Sequence, residues 1–442
     1  MSPALPRFPN CRAWAAFLLT VMAVMAALAG TGTGLPAWPA GVAAWLAGAL
    51  LWPQLSPGQR RQALWLAGIG LLAFAATVVL GGQPRWSHLL TQNSALLGML
   101  AAVSFLQLLA PPAGASSDLP RGQRALWQTM LGVHLLGSVI NLSAVFMMAE
   151  RIGPHGKPTR EQAAALTRAF LAAAMWSPFF AATAIALTYA PGANPLHLAW
   201  VGGAFATVLL ALGGRDIMRQ AGDEVARFVG YPLQPASLWV PGLLAALVAA
   251  GHWLFPRWTA LSIVSLAALL VVCGMTVLRQ GVVSASRSVV AHAERRLPNM
   301  AGEVVLFLSA GTLASGLTSL IGTGNAWVPF AHFGVIEAAG VLAAMIALAV
   351  IGIHTVISIT LVGSWLAPLQ PDPLLLALVF VMSWSIGLAA GPMSAINLAM
   401  QGRYGIAAAV LSRNNLRYCL QAYGAAVVCL ALVAGAQRAL SG

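Results

Sequence analysis

Two short stretches carry histidine and serine at the same spacing. GVHLLGSVINL at 132–142 and GIHTVISITLV at 352–362 place Gly132, His134 and Ser138 in register with Gly352, His354 and Ser358. Each is followed by a second matching piece, WSPFFAA at 176–182 and WSIGLAA at 384–390. Histidine can change charge near neutral pH, and an ionisable group inside apolar sequence is a functional candidate by default. His134 and His354 are therefore candidates for proton coupling, as is Glu337 near the start of the apolar stretch 335–368 that holds the second copy. The competing reading leaves each histidine neutral, bonded to a backbone carbonyl.

Around them stand uncharged polar residues. The first copy offers Ser138, Asn141, Ser143, Ser177 and Thr183; the second offers Ser358, Thr360, Ser385, Ser394 and Asn397. Hydroxyls and amides supply donors and acceptors without the cost of burying a charge. Pro178 and Pro392 remove amide donors and crowd the preceding turn, so each interrupts a helix. An interrupted helix bares N–H groups that attract an anion and C=O groups that can hold a cation. These ten residues are the expected substrate and ion site. No catalytic residue, resident cofactor or metal is expected beyond a coupling Na+ or H+.

The elements that must position them are membrane helices. Of the 442 residues, 59% are hydrophobic and 7% charged, against roughly 25% charged in a soluble domain. Apolar runs of about 20 residues recur, the length that crosses a bilayer as helix. The net charge of +13 invites a nucleic-acid partner, but the basic residues sit in short connections between apolar runs, as an orientation signal does. The four cysteines show no metal-like spacing. The GTGN run at 322–325 lacks a surrounding phosphate-loop pattern.

If every apolar run crossed once, the basic loops around Arg121 and Arg151 would face opposite sides. The conflict with the cytoplasmic preference of Lys and Arg disappears if 126–149 enters and leaves on one side as a re-entrant hairpin, its tip near Gly137 to Asn141. The stretch 335–368 is the matching hairpin from the other face. This topology leaves only Arg85, Arg257 and Arg438 outside among 23 Lys and Arg. The expected fold is an all-α polytopic membrane protein of about 11 transmembrane helices plus two re-entrant hairpins in an inverted repeat. Residues 1–38 form an N-terminal span. A first repeat, 39–213, contains the hairpin 126–149 and a broken helix 163–190. Residues 214–236 form a cytoplasmic linker. An inverted second repeat, 237–442, contains the hairpin 335–368 and a broken helix 373–400.

Two hairpins, each followed by a broken helix, resemble the ion transporter superfamily, closest in layout to the divalent anion/sodium symporter family. The resemblance implies that hairpin tips and broken helices hold sodium and substrate carboxylates. That family's contiguous Ser-Asn-Thr signatures are absent here: the first tip offers Ser138, Asn141 and Ser143, the first broken helix Ser177 and Thr183, the second tip Ser358 and Thr360, and the second broken helix Ser385, Ser394 and Asn397.

The function expected is a secondary active transporter of a small, organic anion, coupled to Na+ or H+, in a bacterial inner membrane with its N-terminus cytoplasmic. Expected partners are that anion, the lipid bilayer and a second copy of the chain as a homodimer, with no nucleic acid. A membrane subunit of a binding-protein-dependent transporter is one alternative. Another is an integral-membrane enzyme of lipid-linked glycans, against which the short, nearly chargeless outer loops count. A charge-selective channel is disfavoured, because no ring of charged residues lines any span.

Overall fold

The computed structural model describes residues 9–109, 119–233, 238–323 and 330–441. Residues 111–118 of the expected cytoplasmic segments, 234–236 of the linker and 324–325 of the GTGN run lie outside them. Among the described residues there is no strand, only an isolated bridge between Arg121 and Val229. In chain order the helices are α1 (Pro9–Ala29), α2 (Trp38–Leu51), α3 (Pro57–Val79), α4 (Trp86–Thr91), α5 (Ser94–Ser104), α6 (Gln123–Ile140) and α7 (Leu142–Ile152). They continue with α8 (Arg160–Ala173), α9 (Ala181–Tyr189), α10 (Pro195–Ala221), α11 (Trp239–Leu254), α12 (Ala260–Gln280) and α13 (Val282–Arg296). The last six are α14 (Ala301–Ile321), α15 (Val335–Val350), α16 (Thr355–Leu366), α17 (Pro373–Ala390), α18 (Ala395–Tyr404) and α19 (Ala408–Ser441).

Eight helical stretches are long and apolar enough to cross a membrane by length and composition. Eleven spans are expected from the apolar runs, and the difference of three falls on short helices. α2 has 14 residues and α11 has 16, which at 1.5 Å per residue reach ~21 and ~24 Å against a hydrocarbon core of about 30 Å. The third is the stretch 163–190, split into α8 of 14 residues and α9 of 9.

The chain forms two compact units, 1–109 with 247–326 and 110–246 with 327–442. The first expected repeat contributes 39–109 to the first unit and the second contributes 247–326, while the stretches expected as hairpins and broken helices fall in the second unit. In the first unit α3 crosses α14 at small residues. A Cβ on Gly70 would lie 2.5 Å from Thr312 O, and one on Gly316 would lie 2.1 Å from Gly70 O. Nothing larger fits, as is usual where membrane helices approach closely.

The second unit holds all thirteen candidate residues. α6 and α7 are antiparallel arms about Asn141: a Cβ on Gly132 would lie 3.4 Å from the Met148 side chain, and one on Gly137 would lie 3.9 Å from Ala144. α15 and α16 are joined by Ile351–His354, where Gly352 takes φ +97°. The break 174–180 separates α8 from α9, and 391–394 separates α17 from α18.

One expectation is corrected here: the turn of the second stretch lies at 351–354, not at Ser358 and Thr360, because the left-handed backbone at Gly352 ends α15 and His354 caps the next helix. The expected linker 214–236 begins as helix, since α10 runs on to Ala221, and Tyr231 N donates to Thr129 Oγ1 at 2.7 Å. Arg168, within the expected broken helix 163–190, lies inside α8, 1% exposed.

Candidate functional site

In the first copy the break between α8 and α9 folds onto the turn between α6 and α7 through serine. Ser177, buried in the break after α8, donates its hydroxyl to Ser138 O. The Ser177 hydroxyl oxygen accepts from Phe179 N at 3.2 Å, and Ser177 O accepts from Thr183 Oγ1 at 2.7 Å. Asn141, at the tip, donates Nδ2 to Phe179 O at 3.4 Å. Ser138, Asn141, Ser177 and Thr183 are thus one cluster. Ser143 stands half-buried in the first turn of α7. Neither α7 nor α9 has a side-chain N-cap, so their first amides are not satisfied by the usual Ser, Thr or Asp oxygen.

His134 lies within α6. Its Nδ1 is 3.0 Å from Ala169 O, and Trp176 Nε1 donates to its Nε2 at 3.0 Å. A carbonyl can only accept and an indole N–H can only donate, so one neutral tautomer suits both partners. A second ring proton would face the indole hydrogen.

The second repeat pairs the equivalent rings, His354 with Trp384, centroids 6.1 Å apart and nearly perpendicular. Here the histidine caps a helix: its Nδ1 accepts from Val356 N at 3.2 Å at the start of α16. A cavity of about 10 Å³ opens beside it, lined among others by His354, Thr355, Leu388, Gly391 and Ser394. That is about the space one water-sized occupant needs. Ser394 caps α18 by accepting from Asn397 N at 3.4 Å. Asn397 donates Nδ2 to Gly391 O at 3.0 Å and to Leu388 O at 3.4 Å, which ties it to the cavity wall.

Two oxygens, one on the lining residue Thr355 and one on Asn397 behind that wall, lack a donor. Thr355 Oγ1 and Asn397 Oδ1 are buried with no hydrogen-bond partner among the described residues. Orphans of this kind are uncommon, because each forfeits its hydration for nothing.

Other expected residues lie elsewhere. Ser358 donates to Thr355 O at 3.0 Å inside α16, and Ser385 donates across to Leu171 O on α8 at 2.9 Å. Thr360, fully buried in α16, also has an unpartnered hydroxyl. Glu337 is far from the cavity. It accepts from Gly334 N at 2.9 Å in the first turn of α15, ~18 Å along that helix from Ala349 in the cavity wall at 1.5 Å per residue. Thr355 is absent from the expected set, although it directly follows His354. Arg168, Asn415 and Ser412 are absent too.

No family model matches the sequence, and no curated protein does. Among solved structures, the YdaH transporter of Alcanivorax borkumensis is similar at 14% identity with a TM-score of 0.40, over 97% of this chain and 98% of that one. That likeness is too loose to bear on fold or function.

Proposed function

We propose that the protein is a secondary active transporter of a small organic anion coupled to Na+, the cation bound at the second hairpin and broken helix. The observation that carries this reading is a pair of buried, donorless oxygens: Thr355 Oγ1, in the lining of a cavity sized for one water or one ion, and Asn397 Oδ1, on a side chain bonded to two residues of that lining. A hydroxyl, an amide oxygen and backbone carbonyls form the all-oxygen set that a hard cation prefers.

The first repeat complements it. α7 and α9 begin without side-chain caps beside the Ser138–Ser177 cluster. Helix N-termini of this kind favour a carboxylate. Charge therefore divides between the repeats, anion at the first and cation at the second. Proton coupling through His134 is disfavoured by its two occupied ring nitrogens. The reading agrees with the resemblance to the divalent anion/sodium symporter family, and the basic connections suit a bacterial inner membrane with the N-terminus cytoplasmic.

The test is uptake by proteoliposomes of a panel of mono- and dicarboxylates and inorganic anions, under imposed Na+ or H+ gradients. Carboxylate uptake that follows the Na+ gradient is expected. Uptake driven by a proton gradient with sodium absent would overturn the coupling, and failure of every carboxylate would overturn the substrate class.

A further inference from the structure

Among the described residues, the largest fully buried polar side chain belongs to neither cluster. Arg168, on α8, donates Nε to Asn415 Oδ1 at 2.7 Å, Nη1 to Asp216 Oδ2 at 2.8 Å and to Gly213 O at 3.2 Å, and Nη2 to Asn414 O at 3.0 Å. Its guanidinium also lies 4.9 Å from the Tyr418 ring centroid. Four of its five N–H groups are spent on protein. It is therefore no anion ligand.

Its reach is through Asn415. That amide accepts from Arg168 with its oxygen and donates Nδ2 to Ala389 O at 3.0 Å. One α19 turn earlier, Ser412 donates to Ala390 O. Ala389 and Ala390 end α17, immediately before the break at Gly391. Those terminal carbonyls have no partner within their own helix, and here α19 satisfies them. Arg168 also fixes which way the amide points: with the arginine on Oδ1, only the NH2 can face Ala389 O. Ser385, donating to Leu171 O, fastens α17 to α8 a second time.

We infer that Arg168 is a positioning residue for the cation cavity, holding the end of α17 through Asn415 so that the break at 391–394 keeps the geometry its ligand needs. This rests on the sodium reading above for its consequence in transport, but not for its consequence in structure. Asp216, equally buried, balances the charge and is itself held by Gln220 Nε2 at 2.7 Å.

The experiment compares the full-length protein with Asn415→Ala and Ser412→Ala, the second sparing every Arg168 contact. Amide hydrogen exchange is read over 388–397 in the purified protein without sodium. Uptake is read in proteoliposomes as a function of sodium. Loss of one hydrogen bond corresponds to roughly a five- to tenfold effect. Exchange at the break is expected to quicken by about that factor, while exchange in α14 stays unchanged. The sodium concentration for half-maximal uptake is expected to rise by a similar factor, with the maximal rate retained. Arg168→Lys, which keeps the charge beside Asp216 and loses the fork, should behave like Asn415→Ala. Unaltered exchange at 388–397 in both α19 variants would overturn the inference. So would a fall in maximal rate with half-maximal sodium unmoved. If wild-type uptake ignores sodium, the coupling reading fails and the exchange measurement alone decides this one.

Discussion

Thr355 presents a buried hydroxyl with nothing to bond, so its removal separates binding from folding. Thr355→Val keeps the shape and deletes the oxygen. A buried unsatisfied polar group costs ~1–3 kcal/mol, so the variant is expected to melt at or above the wild-type temperature in detergent while its uptake no longer responds to sodium. Retained sodium dependence would remove Thr355 from the site. Arg168 and Asp216 behave in the opposite way. Both are 1% exposed, and Asp216→Asn leaves the cation without its counter-charge, at a cost of about 3–5 kcal/mol. The paired replacement Arg168→Met with Asp216→Leu is expected to cost much less, as thermal unfolding of the three proteins would register. His134 offers a third case. With both nitrogens engaged it is neutral scaffolding, and His134→Gln should lower stability while leaving the shape of the uptake profile between roughly pH 5 and 8 unchanged.

Among the elements, the turn between α6 and α7 carries backbone strain. Asn141 adopts φ 53°, ψ −143°, a region close to one that glycine occupies almost alone and that costs other residues ~1–3 kcal/mol. Asn141→Gly is expected to raise the unfolding temperature and to weaken carboxylate uptake, because it relieves the backbone and deletes the amide that reaches Phe179 O. A variant less stable than wild type would refute the strain argument. The position of this tip was legible, since Gly137 to Asn141 combine small and turn-prone residues. The second tip was not. Matching His354 to His134 carries the eye to Ser358, whereas the turn depends on a single positive-φ glycine at 352 that looks like the unremarkable Gly132. Pro178 and Pro392 did mark both helix breaks, because proline forbids the regular pattern whatever its surroundings. Arg168 was hidden by arithmetic: counted with the loop basic residues it improved the charge asymmetry, and only the packing of α8 against α10 and α19 reveals it as interior.

For the whole chain, the expected orientation rests on which side each basic connection faces. Pro120→Cys and His155→Cys flank the first hairpin. Both are expected to react with an impermeant thiol reagent in inverted vesicles and neither in intact cells, and reaction from opposite sides would show that 126–149 crosses once. Composition alone established a helical chain rich in membrane-length segments, because 7% charge cannot cover a water-facing surface. The division into two interleaved units was beyond reach, since it depends on long-range packing such as Gly70 on Thr312, which no local pattern announces.

The displaced helix breaks carry one last consequence. His134 and His354 each meet a tryptophan, yet the first sits seven residues before its turn and the second sits at the turn itself. Two halves that share their ring contacts but cut their helices at different points are not mirror copies. A carrier assembled from them should therefore hold its cargo with unequal strength at the two faces of the bilayer. Half-saturation measured for uptake and for efflux in vesicles of known orientation should differ even when no ion gradient is imposed.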